Sequence, residues 1–318
     1  MKNLTGRNML EALLPLDHLK TGISRIARLG LVSLALHGNG VMADQIPQLP
    51  TEVVINKVEF ILIPEGWFFK TGGVPGKDDA GGGNARIWLD SYYIAKYEAR
   101  ARDLAPFLNT KSSSTFAPYG GDATSCSLQK ADTGVYALMR PDEDLPATHL
   151  SWRLSKEWAS WMGFRLPTEA EWEKAARGTD QRIYPWGDAM PDETVANFAV
   201  NSSCQVWSVN ILQKGVSPYG VFNMAGNIRE YVEDWLNKDY DKTYRDGLRN
   251  PPPAPLGASP NKILKGGRWA STPQEITIHS RALETADDPF QCNGTRVAVD
   301  AAVVREHMAK GSAVVIKP

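Results

Sequence analysis

Residues 165–178 have the sequence Arg-Leu-Pro-Thr-Glu-Ala-Glu-Trp-Glu-Lys-Ala-Ala-Arg-Gly, which contains the signals of a complete helix. Thr168 is a favourable N-cap, and Glu171 three residues later completes a capping box. Three glutamates near the start place negative charge at the positive end of the helix dipole. Gly178 is a typical helix stop. By pattern alone, this stretch predicts a well-capped helix on the protein surface.

The composition of the 318-residue chain limits the class of protein. Ten Trp, 27 Gly and 21 Pro indicate a loop-rich fold held by aromatic side chains rather than a helical bundle. The length permits one large domain or two ordinary ones. A net charge of −1 without a long basic run indicates neither nucleic acid nor an anionic membrane as a partner. We also expect no membrane span, because no apolar run is long enough.

The N-terminal region has the pattern of a targeting segment. Three basic residues between positions 20 and 28 precede the apolar run 29–36, and small residues end at Ala43. We therefore expect residues 1–43 to be the signal peptide of an exported, periplasmic protein and residues 44–52 to be a linker. The alternative is a short buried helix.

The three cysteines are Cys126, Cys204 and Cys292, and none belongs to a Cys-x-x-Cys pair. A zinc cluster is therefore not indicated. In an oxidising compartment one disulfide could form and leave one thiol over. The sequence does not decide which two cysteines would pair.

Local patterns predict the elements of the first half. Residues 53–64 alternate and are β-branched, which indicates a strand or hairpin, and residues 87–97 indicate a second strand. Residues 102–109 have a helical pattern, as do residues 152–162 after the N-cap Ser151. Between them, residues 111–144 form a long polar connection without a clear period. It is either a binding loop or an insertion.

Four motifs downstream of the capped helix occur in the order found in one protein family. They are Tyr184-Pro-Trp-Gly187, the run from Ser217 to Trp235 containing Asn-Met-Ala-Gly-Asn-Ile-Arg-Glu, Lys265-Gly-Gly267, and the pair Ser280-Arg281 with Gly294-Thr-Arg296. With residues 165–178, they resemble the formylglycine-generating enzyme family, also called the sulfatase-modifying-factor family. Its corresponding central motif is Phe-Gly-Leu-Tyr-Asp-Met-x-Gly-Asn-x-Trp-Glu-Trp.

The resemblance covers residues 53–300, and it implies an α+β class of fold. The expected formylglycine-generating-enzyme domain, residues 53–304, is C-type lectin-like, with low regular secondary structure and many loops. Residues 305–318 would then form a C-terminal tail.

The resemblance also implies structural calcium, held by oxygen ligands at two places. The candidate metal ligands are Asn197 with the Phe198 carbonyl, and the turn formed by Gly226, Asn227, Ile228 and Glu230. The alternative is that Asn227 and Glu230 only bond local backbone amides.

The catalytic chemistry of the family requires two close cysteines, which bind copper(I) as a soft cation. In the family pattern these follow the Ser of Lys-Gly-Gly-Ser by three and by eight residues. This chain has Arg268 in place of that Ser, and the cysteine positions fall on Ser271 and Ile276. We therefore expect no catalytic residues, no copper and no formylglycine-generating activity.

A lone His149 is more often structural than catalytic. His149, His279 and His307 also lack the spacing of the iron-binding branch of the family.

Two functions of different classes remain. The first is a non-catalytic periplasmic regulator whose partner is the periplasmic part of a membrane threonine kinase that controls type VI secretion. Residues 111–144 and the proline-rich residues 250–260 would be its candidate partner contacts. The alternative is a periplasmic oxidoreductase of the siderophore (pyoverdine) maturation type. In that case Arg268 and Arg281 would hold an anionic group, unless both pair with core carboxylates.

Overall fold

The computed structural model describes residues 48–71, 85–110, 127–141, 143–199 and 205–317. The predicted signal peptide and the beginning of the predicted linker lie outside the described residues. So do Cys126, Cys204 and the first half of the long polar connection.

The described residues contain thirteen strands. They are β1 (Glu52–Ile55), β2 (Val58–Ile63), β3 (Gly66–Lys70), β4 (Ala85–Leu89), β5 (Tyr92–Ala95), β6 (Leu128–Lys130), β7 (Tyr136–Leu138), β8 (Arg229–Trp235), β9 (Asn261–Lys265), β10 (Ala282–Thr285), β11 (Asn293–Thr295), β12 (Ala298–Asp300) and β13 (Ala313–Lys317). The α-helices are α1 (Ala101–Thr110), α2 (Trp152–Trp161), α3 (Glu169–Arg177), α4 (Lys238–Asp241) and α5 (Ala301–Ala309). Short 3₁₀ helices cover Gln213–Gly215 and Pro273–Ile276.

Two sheets organise these elements. The larger is antiparallel and has the order β12-β5-β2-β1-β13. The second has the order β10-β9-β8-β11, in which β11 runs parallel to β8. Strands β3 and β4 form one two-stranded sheet, and β6 and β7 form another. Short strands joined by long loops give the expected α+β architecture of low regular structure.

Both faces of the five-stranded sheet are buried at its inner strands β2 and β5, whereas the edge strand β13 is largely exposed. Side chains alternate along a strand, so Phe60 of β2 enters one apolar cluster while its neighbour Ile61 enters another. Tyr93 and Ile94 of β5 divide in the same way. The first cluster is completed by α1 and α2, and the second by α3 and the four-stranded sheet.

The predicted hairpin at residues 53–64 is present as β1 and β2. Asn56 and Lys57 form its two-residue turn, and both have positive φ angles, 49° and 69°. Such angles suit the tight turns whose twist matches that of paired strands. Residues 87–97, in contrast, contribute to two strands in different sheets. The break falls at Asp90, whose backbone N–H donates to Asn250 Oδ1 at 2.8 Å instead of joining a ladder.

Helix α3 has the predicted caps but not the predicted exposure. The Thr168 side chain accepts from the Glu171 N–H at 3.1 Å, and Glu171 Oε2 accepts from the Thr168 N–H at 2.8 Å. All nine residues of the helix are nevertheless buried, so the expectation of a surface helix was wrong. Other parts of the chain enclose it and supply cations for its carboxylates.

Those cations form a buried network around Glu169 and Glu173. Glu169 lies 2.6 Å from Arg281 and 3.2 Å from Lys70, and Lys265 contacts it at 3.4 Å. Burial opposes the ionisation of Glu169, but the three cations overcome it and hold its pKa well below the ordinary value. The charge of this helix is therefore balanced inside the protein rather than by solvent.

The segment after residue 304 is integrated with the domain. Helix α5 continues to Ala309, and β13 pairs antiparallel with β1 at the edge of the larger sheet. Lys317 lies 3.3 Å from Glu52, so the two ends of the described chain meet there. None of the helices in the described ranges is both long and apolar enough to cross a membrane.

Candidate functional site

The positions that correspond to the family's catalytic cysteines lie after β9. Gly266 and Gly267 turn the chain there with φ angles of 87° and 71°. A Cβ at Gly267 would come within 2.7 Å of Ile276 Cγ2, so glycine is required for this turn to pack against the following 3₁₀ helix. Ile276 is fully buried in an apolar cluster with Tyr184.

Ser271 closes the same loop. Its hydroxyl accepts from the Arg268 N–H at 3.2 Å, and its carbonyl accepts from the Ala199 N–H at 2.9 Å. The residues at the two cysteine positions are thus a buried, hydrogen-bonded hydroxyl and a buried aliphatic side chain. Neither is a ligand for copper(I), so this loop does not fit the family's copper site. Nor does any group of three or more His, Cys, Asp or Glu in the described part of the chain form a metal site.

Cys292 is buried next to this loop, and its thiol is free. Arg268 Nη1 donates to Cys292 Sγ at 3.2 Å, and the guanidinium lies 5.4 Å from the Phe290 ring centroid. Burial raises the pKa of the Cys292 thiol, while Arg268 and Arg229 oppose that rise. The thiol is therefore protonated and fully buried beside two cations.

The two arginines considered for an anionic group have different roles. Arg281 is held by Glu169 and Asp241, with nitrogen–oxygen distances of 2.6 and 2.7 Å. It is a core residue, as the alternative interpretation proposed. Arg268 forms no ion pair with any residue that the structure describes, so that interpretation fails for it.

Arg229 is the neighbour of Arg268 that the sequence analysis missed. It occupies the position of the first Trp in the family's Gly-Asn-x-Trp-Glu motif, and that departure was the available signal. It begins β8, and its backbone N–H donates to the Cys292 carbonyl at 2.9 Å.

A cluster of side-chain oxygens lies around Asn223 and Asn227, in the turn that leads into Arg229. Glu98 Oε2 accepts from Asn223 Nδ2 at 2.9 Å and from Asn227 Nδ2 at 2.8 Å. Three buried oxygens have no hydrogen-bond donor: Glu98 Oε1, Asn197 Oδ1 and Asn223 Oδ1. Burial, and secondarily Glu230, raise the pKa of Glu98 to about 8. Unsatisfied buried oxygens of this kind are suited to a hard cation.

The predicted calcium ligands are distributed around this cluster. Asn197 and Asn227 meet, with Asn197 Nδ2 donating to Asn227 Oδ1 at 3.1 Å. Asn227 Oδ1 also accepts from the Trp207 N–H at 2.9 Å, which is the local backbone bonding considered as the alternative. Gly226 brings the turn against Asn197, whose carbonyl accepts from the Asn227 N–H at 2.8 Å.

The remaining predicted ligands have other contacts. Both oxygens of Glu230 accept from Arg296 at 2.6 Å, and Oε2 also accepts from Trp172 Nε1 at 2.7 Å. The side chains of Ile228 and Phe198 pack in apolar clusters, and the prediction that their backbone carbonyls are ligands stays a prediction. Glu98 and Asn223, which the sequence analysis did not select, therefore supply the free side-chain oxygens along with Asn197.

His149 lies outside both groups and is 4% exposed. Its φ is +61°, and its Nδ1 lies 3.1 Å from the Thr148 hydroxyl. Burial lowers its pKa to about 4, so it is neutral at ordinary pH.

A separate cleft of about 610 Å³ opens at the start of α3. It includes Pro251 and Pro253 of the proline-rich residues and shares no lining residue with the Arg268 loop. Apart from Asp90, its charged side chains form ion pairs with one another: Arg165 contacts Glu171 at 2.7 Å and Asp300 at 2.6 Å, and Lys156 contacts Glu233.

The family model for the sulfatase-modifying factor enzyme 1-like domain matches residues 46–301. The chain belongs to this family. The formylglycine-generating enzyme of Thermomonospora curvata is 30% identical over 191 residues, which cover 54% of this chain and 61% of that enzyme. The serine/threonine-protein kinase pkn1 of Chlamydia caviae is 35% identical over 137 residues, 43% of this chain and 21% of the kinase. The chain thus spans under two thirds of either relative.

Solved structures of the sulfatase-modifying factor type share the fold. PvdO from Pseudomonas aeruginosa matches with a TM-score of 0.59 and 20% sequence identity, over 80% of this chain and all of that one. At this identity the likeness concerns the fold alone. It agrees with the predicted formylglycine-generating-enzyme architecture.

Proposed function

We propose that this member of the sulfatase-modifying factor family is a pseudoenzyme, a periplasmic binding and regulatory protein. The observation that carries the proposal is the pair Ser271 and Ile276 at the positions of the catalytic thiols. Both are integrated into the loop and the core, so the scaffold is kept without the soft ligands that the oxidation requires. The periplasmic location rests on the predicted signal peptide.

The proposed partner is the periplasmic part of a membrane threonine kinase that controls type VI secretion. The matched region covers 21% of the length of the serine/threonine-protein kinase pkn1. This similarity supports a functional connection between the fold and kinases. The proline-rich residues supply an accessible contact, because Leu256 is 60% exposed there. An exposed large apolar side chain on a loop is a common feature of protein contacts.

A binding measurement with purified proteins tests this proposal. The periplasmic part of the kinase is immobilised and the chain without residues 1–43 is titrated over it. We expect saturable binding, weakened at least about tenfold by Leu256→Asp, since a buried charge in an apolar contact is costly. Met190→Asp is the matched control, because Met190 is 65% exposed on a different loop. The partner assignment is wrong if the wild-type chain does not bind.

We also propose that the chain holds structural calcium at the oxygen cluster. Glu98, Asn197 and Asn223 supply the unsatisfied side-chain oxygens, and backbone carbonyls of the adjoining turn at Gly226 would complete the ligand set. When bound, the cation would neutralise the buried carboxylate and tie three distant segments together. Calcium should therefore raise the melting temperature of the wild-type protein. It should have a much smaller effect on Asn223→Ala, and equal shifts in the two proteins would refute this site.

The alternative of a siderophore-maturation oxidoreductase draws on the likeness to PvdO, which at 20% identity shows the fold alone. No arrangement among the described residues favours oxidation over binding. Binding therefore remains the proposed function.

A further inference from the structure

Two arginines converge at one end of the four-stranded sheet. Strands β8 and β9 are paired so that Glu230 lies opposite Lys265. Arg229 precedes the first of these residues and Arg268 follows the second by three positions, so both fall at the same end of the ladder. Cys292 connects them, because its carbonyl accepts from the Arg229 backbone and its sulfur from the Arg268 side chain.

Neither guanidinium is neutralised within the described part of the protein. Arg268 donates only to a thiol, and the Arg229 side chain makes no hydrogen bond or ion pair there. The Nε atom of each is buried without an acceptor. Leaving such donors unsatisfied is expensive, particularly with a second cation nearby.

Two other arginines of this protein have guanidinium groups that are paired with carboxylates. Arg281 bonds two carboxylates, and Arg296 bonds both oxygens of Glu230. Each is a core residue whose charge is fully matched. Against that pattern, Arg229 and Arg268 are half-buried and lack an anion, so their open side faces solvent.

No nearby carboxylate of the described residues forms an ion pair with Arg229 or Arg268. Glu275 and Glu284 act on Arg229 only at a distance, without an ion pair. Glu275 Oε2 instead accepts from the Thr272 N–H at 2.8 Å and caps the short 3₁₀ helix. Burial and the field of Arg268 both lower the pKa of Arg229, which is the sign of two cations held together without a counter-ion.

We propose that Arg229 and Arg268 form a binding site for an oxoanion, a carboxylate or phosphate group. Planar guanidinium forks match the geometry of such groups. Phe290, beside Arg268, offers an apolar surface for whatever body carries the anion. The site does not depend on the kinase partner or on calcium, and it lies on the loop where the family's thiols are absent.

Calorimetric titration of the full chain at low ionic strength tests the site, with inorganic phosphate and benzoate as probes. We expect one of them to bind with a stoichiometry of one, and the better probe identifies the group. The double variant Arg229→Gln/Arg268→Gln should bind at least about tenfold more weakly, because charge-assisted hydrogen bonds are lost. Arg245→Gln, at an exposed arginine elsewhere, should bind like the wild type.

Thermal unfolding provides a second readout that a purely structural role would not reproduce. Without an added oxoanion, the double variant should be as stable as the wild type or more stable, since a repulsive pair is removed. With the oxoanion, only the wild type should gain melting temperature. The proposal is overturned if neither probe binds the wild type beyond a chloride control of equal ionic strength. Equal binding by the double variant also overturns it.

Discussion

Gly226 shows how one residue shapes the region of the site. Its φ is +79°, and a Cβ would lie 2.3 Å from the Asn197 carbonyl oxygen. That carbonyl also accepts from the Asn227 N–H, so the turn cannot retreat without losing a buried hydrogen bond. The glycine of this family motif is thus required by backbone contact, whether or not a metal binds.

Substituting Gly226→Ala should lower the free energy of unfolding by about 3 kcal/mol or more, from strain and overpacking together. Gly311→Ala is the control, because φ there is +66° but nothing lies within 4 Å of the added Cβ. The Gly311→Ala variant should lose only about 1 kcal/mol of the free energy of unfolding, because it introduces backbone strain without overpacking. Urea unfolding measures both, and equal losses would show that the contact with Asn197 is unimportant.

His149 should make stability depend on pH. Its pKa is about 4 in the folded protein against 6.5 for an ordinary histidine, so only the unfolded chain takes up its proton between these values. Stability from the neutral, folded form is present above about pH 6.5 and is lost as the pH falls toward 4, by up to about 3 kcal/mol.

His149→Asn removes this titration, and Asn tolerates the positive φ. The measurement is the free energy of unfolding at about pH 7 and about pH 4.5 for both proteins. The variant should lose distinctly less than the wild type between the two conditions. An identical pH dependence of the two proteins would mean that His149 takes up its proton in the folded protein as readily as in the unfolded chain.

At the residue scale, a motif determines which positions correspond to the family's catalytic residues. Arg268 and Ser271 lie on the loop after β9, and Ile276 ends the 3₁₀ helix that follows this loop. Arg229 was missed because its proximity to Arg268 depends on the pairing of β8 with β9. Glu98 was missed in the same way, since about 125 residues separate it from the asparagines that it contacts.

At the scale of elements, α3 combines a predictable start with an unpredictable environment. Its capping box is local and follows from four consecutive residues. Its burial depends on Lys70, Lys265 and Arg281, which come from three distant parts of the chain. A local pattern of charges therefore resembles that of a surface helix, although the charges are matched in the core.

Replacing Glu169 by glutamine tests this matching. The shape is conserved, but three buried cations lose their common carboxylate, so we expect a loss of about 3–5 kcal/mol in the free energy of unfolding. Glu306→Gln on α5 is the control, because its ion pair with Lys310 is exposed and should contribute under about 1 kcal/mol. Similar midpoints of denaturant unfolding for the two variants would contradict the central role of Glu169.

At the scale of the whole molecule, the order of the motifs was sufficient to predict the family and its fold. The role of residues 305–318 was not foreseen, because β13 joins a strand that begins more than 250 residues earlier and no local pattern indicates the pairing. The proposed change from catalysis to binding also concerns the whole molecule. The fold preserves its scaffold while the loop after β9 has hydroxyl and aliphatic groups in place of thiols.

The most direct test of that consequence is an assay of the family's own reaction. The purified chain is incubated in air with copper and a peptide containing Cys-x-Pro-x-Arg, and the peptide is followed by mass spectrometry. A cysteine-containing formylglycine-generating enzyme serves as the positive control. We predict that the peptide cysteine stays unconverted in the presence of this chain. Its conversion to formylglycine would contradict the proposal that this member of the family binds rather than catalyses.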